Sequence, residues 1–278
     1  MSIQKALTNM DTWTHHNNIH FNASKCKALT ITWKKSLLNF IYKLDNVELQ
    51  HVYTEKDVEV NITNSLTWDT HIHAITAKDN KLLGLLKHTC PLSNYVSARC
   101  PLYLGLVKSQ LSYTTQVWSP DKIALKTQIE RVQRRWILKH RVGVMSYRDR
   151  LLTLKLLPLT FDRELKDLVF FNGFTDHNVS DLVPFVSHGQ TRLSNSYNLN
   201  TPACKTSTFQ ASYFNRIAKL WNYICKFSPP TSFSTTASFR NFVTEHVSPS
   251  SQSLWHTLSL YLANCTILPL PSQVFSLF

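Results

Sequence analysis

Apolar residues recur at Ile3, Leu7, Met10 and Trp13, in steps of four, three and three, which predicts one amphipathic helix ending near Asn17-Asn18. The period then falls to two. In "NNIHFNASKCKALTITW", residues 17–33, the chain turns at Asn22-Ala23-Ser24 and alternates through Leu29, Ile31 and Trp33. That is the pattern of a strand, with Lys25 and Lys27 at its entrance. "NFIYKL" and "VELQHV" flank Asp45-Asn46, a pair suited to a hairpin turn. Val58, Val60 and Ile62 in "DVEVNI" predict another short strand. Residues 1–65 thus read as a helix followed by a small antiparallel sheet.

From Trp68 onward the period is helical. Asp69 or Thr70 suits the cap, and Ile72, Ile75, Leu82, Leu83 and Leu86 form a stripe that Asp79 interrupts. A carboxylate on an apolar face is costly unless it is partnered or at the rim. Pro91 ends this helix, and a further helical segment is expected over roughly 94–117, with Leu102, Leu106 and Tyr113 among its apolar positions. "VWSPD" is a turn. The clearest helix carries Leu125, Ile129, Val132 and Trp136 on one side. Lys126, Glu130, Arg131, Gln133, Arg134 and Lys139 lie around the other, Glu130 and Arg134 forming a favourable i,i+4 pair. Residues 146–186 read as helical, and 187–206 as a polar loop. "FQASYFNRIAKLWNYICKF" predicts a helix with Phe214, Ile217, Leu220, Trp221 and Ile224 apolar, and "SFRNFVTEHV" a last short one. Periodicity is weak beyond Ser248, where poor order is expected. The fold class is α+β, predominantly helical.

Charge changes this picture most. Lys+Arg number 30 and Asp+Glu 17. Residues 66–145 hold twelve basic and four acidic residues, against seven and six in 1–65 and eleven and seven in 146–278. A concentrated basic segment suits a polyanion, most simply a nucleic-acid backbone; the plainer reading is a soluble basic surface. The five glycines form no GxGxxG or GxxxxGK[ST] pattern, so Gly-rich phosphate loops have no support. The six cysteines include no CxxC, which removes support for a zinc knuckle and suits free thiols in a reducing compartment. His15-His16 and His71-x-His73 lack a Cys or carboxylate at usual ligand spacing, and no metal site is assigned. No apolar run reaches the ~18 residues of a membrane span. The first residues are too polar for a secretory signal. An intracellular location follows, with nucleus and cytoplasm both open, since "RVQRR" is short and accounted for by a helix face.

The ordered series "NNIHFNASKCKALTIT", "EKDVEVNITNSLTWDTHI", "KLLGLLKHTCPLS", "LYLGLVKSQLSYTTQVWSP", "IERVQRRWIL", "YRDRLLTLKLLPLTFDRELKDLVFF" and "FNRIAKLWNYI" resembles the reverse transcriptase of LINE-type (non-LTR) retrotransposons. The similarity covers about residues 3 to 245 and lies in the part after the catalytic motif. It implies a palm remnant over 1–65, a basic helical thumb over 66–145 and a helical C-terminal region over 146–278. It also implies that the Ala-Asp-Asp hairpin would lie before Met1. Polymerases of this kind clamp two divalent metals, magnesium in the parent enzyme, between close carboxylates. No Asp-Asp pair occurs in the 278 residues, so no cofactor and no polymerase activity are expected of this chain.

The resemblance assigns further roles. Lys25 matches a lysine that would donate a proton to leaving pyrophosphate or contact the incoming phosphate; with no chemistry to serve, it also reads as an exposed lysine at the strand's start. "EKDVEV" matches the family's "KDLGV" strand, with Glu59 where a glycine would let the backbone approach a primer end. Asp79 stands where the family has a small apolar residue. Both departures read either as decay of the copy or as harmless variation. Lys78, Lys81 and Lys87 on one helix, with Arg131, Arg134, Arg135 and Lys139 on another, would meet phosphates of RNA or an RNA–DNA hybrid without reading sequence, or else form a solvated helix face. Tryptophans 13, 68, 118, 136 and 221 are expected mostly in the core. The leading expectation is a polymerase-inactive fragment with residual nucleic-acid binding, and no small-molecule substrate. The alternatives are part of an intact reverse transcriptase whose upstream half is missing from the gene model, or an inert, aggregation-prone product.

Overall fold

A computed structural model describes residues 3–34, 40–89, 96–137, 146–175, 198–199, 201, 203–227, 233 and 235–247. The predominantly helical α+β class holds. The chain forms two compact units, Met1–Ala74 and Ile75–Phe278.

In the first unit, α1 (Ile3–His16) forms where the apolar spacing placed it, but its apolar side is not the side it buries. Ile3, Met10 and Trp13 are exposed, Trp13 by 59%, and Thr14 is the residue fully buried. Polar bonding fixes the helix instead. The Gln4 amide donates to the Lys43 carbonyl at 2.9 Å and accepts from the Lys43 N–H at 3.0 Å, as a neighbouring strand would. Trp13 is therefore not the core residue expected.

Among the described residues, six short strands follow, paired two by two. β2 (Lys43–Leu44) and β3 (Val47–Glu48) form the expected antiparallel hairpin. Asp45 and Asn46 turn it with φ of 50° and 60°, the left-handed pair that a two-residue turn matching strand twist requires. β1 (Lys27–Leu29) pairs with β4 (Gln50–Val52) in parallel, Lys27 opposite Gln50, where an antiparallel sheet was expected. Parallel neighbours need a crossover of a dozen or more residues, and the chain between Leu29 and Gln50 supplies it. β5 (Thr54–Asp57) and β6 (Val60–Thr63) form a second hairpin. The expected single strand through Val58, Val60 and Ile62 is thus broken: Val58 and Glu59 are its turn, at φ 43° and 66°. Apolar alternation cannot distinguish a strand from a tight turn that keeps the same parity.

α2 (Asp69–Thr89) contains the boundary between the units. Asp69 is its first residue rather than a residue ahead of it. In the first unit His71 is buried and its Nδ1 accepts the Asn61 N–H at 3.3 Å.

In the second unit α3 (Val96–Leu102) runs through a π-helical stretch, Tyr103–Lys108, into α4 (Ser109–Leu111). The Ser109 N–H reaches the Leu104 carbonyl, five residues back. Pro101, which supplies no N–H, lies two residues before the widened turn begins at Tyr103. The extra residue rotates the buried face. Tyr103, Val107 and Leu111 are fully buried, whereas Leu106 and Tyr113, expected on the apolar side, are exposed by 43% and 44%. Thr114, at φ 45°, separates this helix from α5 (Thr115–Trp118).

α6 (Ile123–Ile137) buries Leu125, Ile129, Val132 and Trp136 as its spacing predicts, and Tyr103 stacks on Trp136 at 4.2 Å. Glu130 and Gln133, expected on the polar side, are buried. Glu130 accepts from the Tyr147 hydroxyl and, at 3.0 Å, from the N–H of Leu159. Leu159 is the first residue of α8 (Leu159–Thr175), whose leading N–H groups lack helical partners and favour negative charge. A carboxylate on one helix thus caps another. α7 (Tyr147–Thr153) begins at Ser146, whose hydroxyl oxygen accepts from the Asp149 N–H.

The expected helix at 209–227 is two: α9 (Ser207–Gln210) and α10 (Tyr213–Ile224). α11 (Thr236–Val247) ends the described chain, capped reciprocally by Thr235 and Ser238. α8, α10 and α11 enclose one core, including Phe161, Leu168, Phe171, Ile217, Trp221, Phe239 and Val243. Phe214, expected there, is exposed. Arg216 adds a polar tie, with Nη1 2.9 Å from the buried Asp167 carboxylate.

Candidate nucleic-acid interface

The two basic helices meet through polar side chains, neutral on the α2 side. Gln128 Nε2 of α6 donates to Thr76 Oγ1 of α2 at 2.8 Å, and Arg135 Nη1 donates to Asn80 Oδ1 at 2.6 Å. Gln128, Arg131 and Arg135 stand at i, i+3 and i+7, so they share one side of α6. Thr76, Asn80 and Lys87 likewise share one line of α2. Arg131, Arg135 and Lys87 are all exposed. The structure therefore ties Arg135 directly to α2, leaves Arg131 exposed on the same side of α6, and puts Lys87 on the line of α2 that carries Asn80.

The other expected members fall elsewhere. At roughly 100° per residue, Lys81 stands roughly 100°, and Lys78 roughly 160°, around α2 from Asn80. Arg134 is half-buried, its guanidinium 4.7 Å over the Tyr147 ring, a packing role. Its charge still favours the Glu130 carboxylate, as the i,i+4 spacing leads one to expect, while that carboxylate accepts hydrogen bonds from Tyr147 and Leu159. Lys139 lies outside the described residues. Lys25 is exposed on the short 3₁₀ turn Ala23–Lys25, one residue before β1.

Glu59 stands at φ 66°, which explains physically why a glycine suits that position: the backbone itself is left-handed there. Asp79 is fully buried, and among the described residues neither carboxylate oxygen has a hydrogen-bond partner. Burial pushes its pKa up to about 7, Lys78 opposing only in part. It is buried, not displayed to a ligand.

A second cationic group has no counterpart in the sequence reading. Asp162 of α8 holds Lys108 Nζ at 2.9 Å on one oxygen and Lys166 Nζ at 2.9 Å on the other. Ser112 Oγ also donates to it at 3.0 Å. Burial alone would raise the Asp162 pKa, but the two ammonium groups together hold it below the usual value. These residues border a cleft of about 480 Å³ lined by Leu104, Lys108, Ser109, Leu157, Asp162, Leu165, Lys166, Arg240 and Thr244. The i,i+4 spacing of Asp162 and Lys166 was legible; nothing in the sequence places Lys108 or Arg240 beside them.

Among the described residues, Asp11, His15 and Asp45 bring potential metal-ligand atoms within 4.8 Å of one another. Asp11 supplies the i,i+4 carboxylate that the sequence reading did not credit to His15. The set does not fit the magnesium of a polymerase. That hard cation takes oxygen ligands in octahedral geometry, and here an imidazole sits between two surface carboxylates. Among the described residues, no helix is long and apolar enough to cross a membrane. Comparison with protein-family models, curated proteins and solved structures finds no match to this chain.

Proposed function

We propose that this chain derives from a LINE-type reverse transcriptase, lacks the catalytic Asp-Asp pair, and binds RNA or an RNA–DNA hybrid without sequence preference. The reading rests on the ordered sequence resemblance and on one structural observation. The Asn80–Arg135 and Thr76–Gln128 bonds join α2 to α6, and exposed Arg131 and Arg135 on the joined side of α6, with exposed Lys87 on the Asn80 line of α2, are read as one cationic strip. Such a strip meets backbone phosphates and releases counterions, so affinity falls steeply with salt. The test is binding to duplex and single-stranded nucleic acid across a salt series, in wild type and in the Arg131→Ala/Arg135→Ala variant. Loss of two phosphate contacts should reduce the slope of log K against log salt by roughly 2. No salt-sensitive binding, or an unchanged slope, would sink the proposal.

A second reading, a protein-interaction or aggregation-prone product, is favoured by the exposed Ile3, Trp13, Trp33, Phe40 and Ile41 of the first unit. Recovery of the purified chain only as high-order oligomers would support it.

A further inference from the structure

We infer that the cleft between the π-helical stretch, α8 and α11 binds a phosphomonoester carrying an apolar or aromatic body, of nucleoside-monophosphate size. This inference does not rest on the strip formed by α2 and α6. Its volume, about 480 Å³, lies in the range of small-molecule sites. One wall is the π-helical stretch itself, which contributes Leu104 and Lys108. Such stretches are rare and concentrate at functional sites.

The chemistry of the lining selects the ligand. Three cations, Lys108, Lys166 and Arg240, line the cleft with one carboxylate, Asp162. That carboxylate is already bonded to both lysines and to Ser112, so it does not oppose an incoming anion as a free carboxylate would. Each lysine, fixed by Asp162, keeps further N–H donors. The two lining hydroxyls are engaged within their own helices: Ser109 donates to the Gly105 carbonyl and Thr244 to the Arg240 carbonyl. The donors left are cationic, and their natural partner is an acceptor-rich anion such as phosphate. Leu104, with Leu157 and Leu165, offers the apolar wall for the rest of the ligand.

The phosphate could belong to a free nucleotide or to the 5′ end of a strand. Isothermal titration with UMP, AMP, uridine, and 5′-phosphorylated and 5′-hydroxyl octanucleotides distinguishes these sources. The expected result is saturable binding of a phosphorylated probe, none of uridine, and about a tenfold loss in Arg240→Gln at unchanged melting temperature. Arg240 is exposed, so that variant should fold; Lys166→Gln provides the second arm. Binding of free nucleotides supports a small-molecule site. Binding only of the 5′-phosphorylated strand supports a strand-end site. Absence of saturable binding by every phosphorylated probe, or affinity unmoved in both variants, would overturn the inference.

Discussion

Trp13 and Trp221 both lie on helices of regular apolar spacing, yet one is 59% exposed and the other 2%. The difference belongs to their units. The second unit closes α8, α10 and α11 around one core, in which Trp221 meets Phe171 edge-on at 4.8 Å. The first unit buries Leu44, Val60 and Ile72 and leaves Ile31, Trp33, Phe40, Ile41 and Tyr53 open. Its order comes from backbone pairing, two left-handed hairpin turns and polar ties such as Gln4 to Lys43. Apolar periodicity announces a face able to be buried; it does not say whether that face finds a partner within the same unit.

The largest expected effect follows directly. Trp221→Ala should cost about 3–5 kcal/mol, as large-to-small changes in a packed core do. Trp13→Ala should stay within about 0.5 kcal/mol, as for a surface position. Denaturant unfolding of both variants measures the contrast. Equal losses would break it.

What the sequence disclosed follows the same division. Leu125, Ile129, Val132 and Trp136 were legible because a regular α-helix repeats its face every 3.6 residues. Tyr103, Val107 and Leu111 were not, because the π-helical stretch shifts that repeat, and no residue type announces it. Asp45-Asn46 disclosed its turn because both residues tolerate positive φ. Val58-Glu59 hid a similar turn because neither does. At the candidate interface, exposed arginines could be named from α6 alone. Which lysines joined them depended on Asn80 and Thr76, neutral residues with no charge pattern to follow. The Lys108–Asp162–Lys166 group joins distant segments, and only the fold brings them together.

Asp79 sharpens the comparison inside the second unit, as a polar residue buried without bonding. Its folded-state pKa, pushed up to about 7 by burial, lies above the unfolded value of 3.8. The folded chain therefore holds a proton that the unfolded chain releases. Stability from this group is full below about pH 4, falls as pH rises to about 7, and stays low above. The total change is on the order of 4 kcal/mol. Asp79→Asn should remove that decline and leave the variant the more stable protein above pH 7. His71, whose imidazole burial pushes the other way, adds an opposite slope below pH 6.5 that both proteins share. The difference between their stability–pH curves thus isolates Asp79, and a flat difference would refute the assignment.

The smallest effect tests the first unit on its own terms. If backbone turns hold it, relieving a strained turn should stabilise it more than losing a surface contact harms it. Glu59 occupies φ 66° at the second turn position, where an L-residue costs roughly 1–2 kcal/mol and glycine does not. Glu59→Gly also removes the ion pair to Lys56, 2.9 Å long and exposed on both sides, worth about 0.5 kcal/mol or less. Glycine further loosens the unfolded chain, offsetting roughly 0.5–1 kcal/mol of the gain. These terms span roughly −0.5 to +1.5 kcal/mol, and the central expectation is about 0.5 kcal/mol of stabilisation. It should be read as slowed amide exchange at the β5–β6 pairs, Glu55 with Ile62 and Asp57 with Val60. Exchange there that quickens by more than about twofold would mean that the left-handed turn carries no strain, and that side-chain contacts rather than backbone conformation hold this unit.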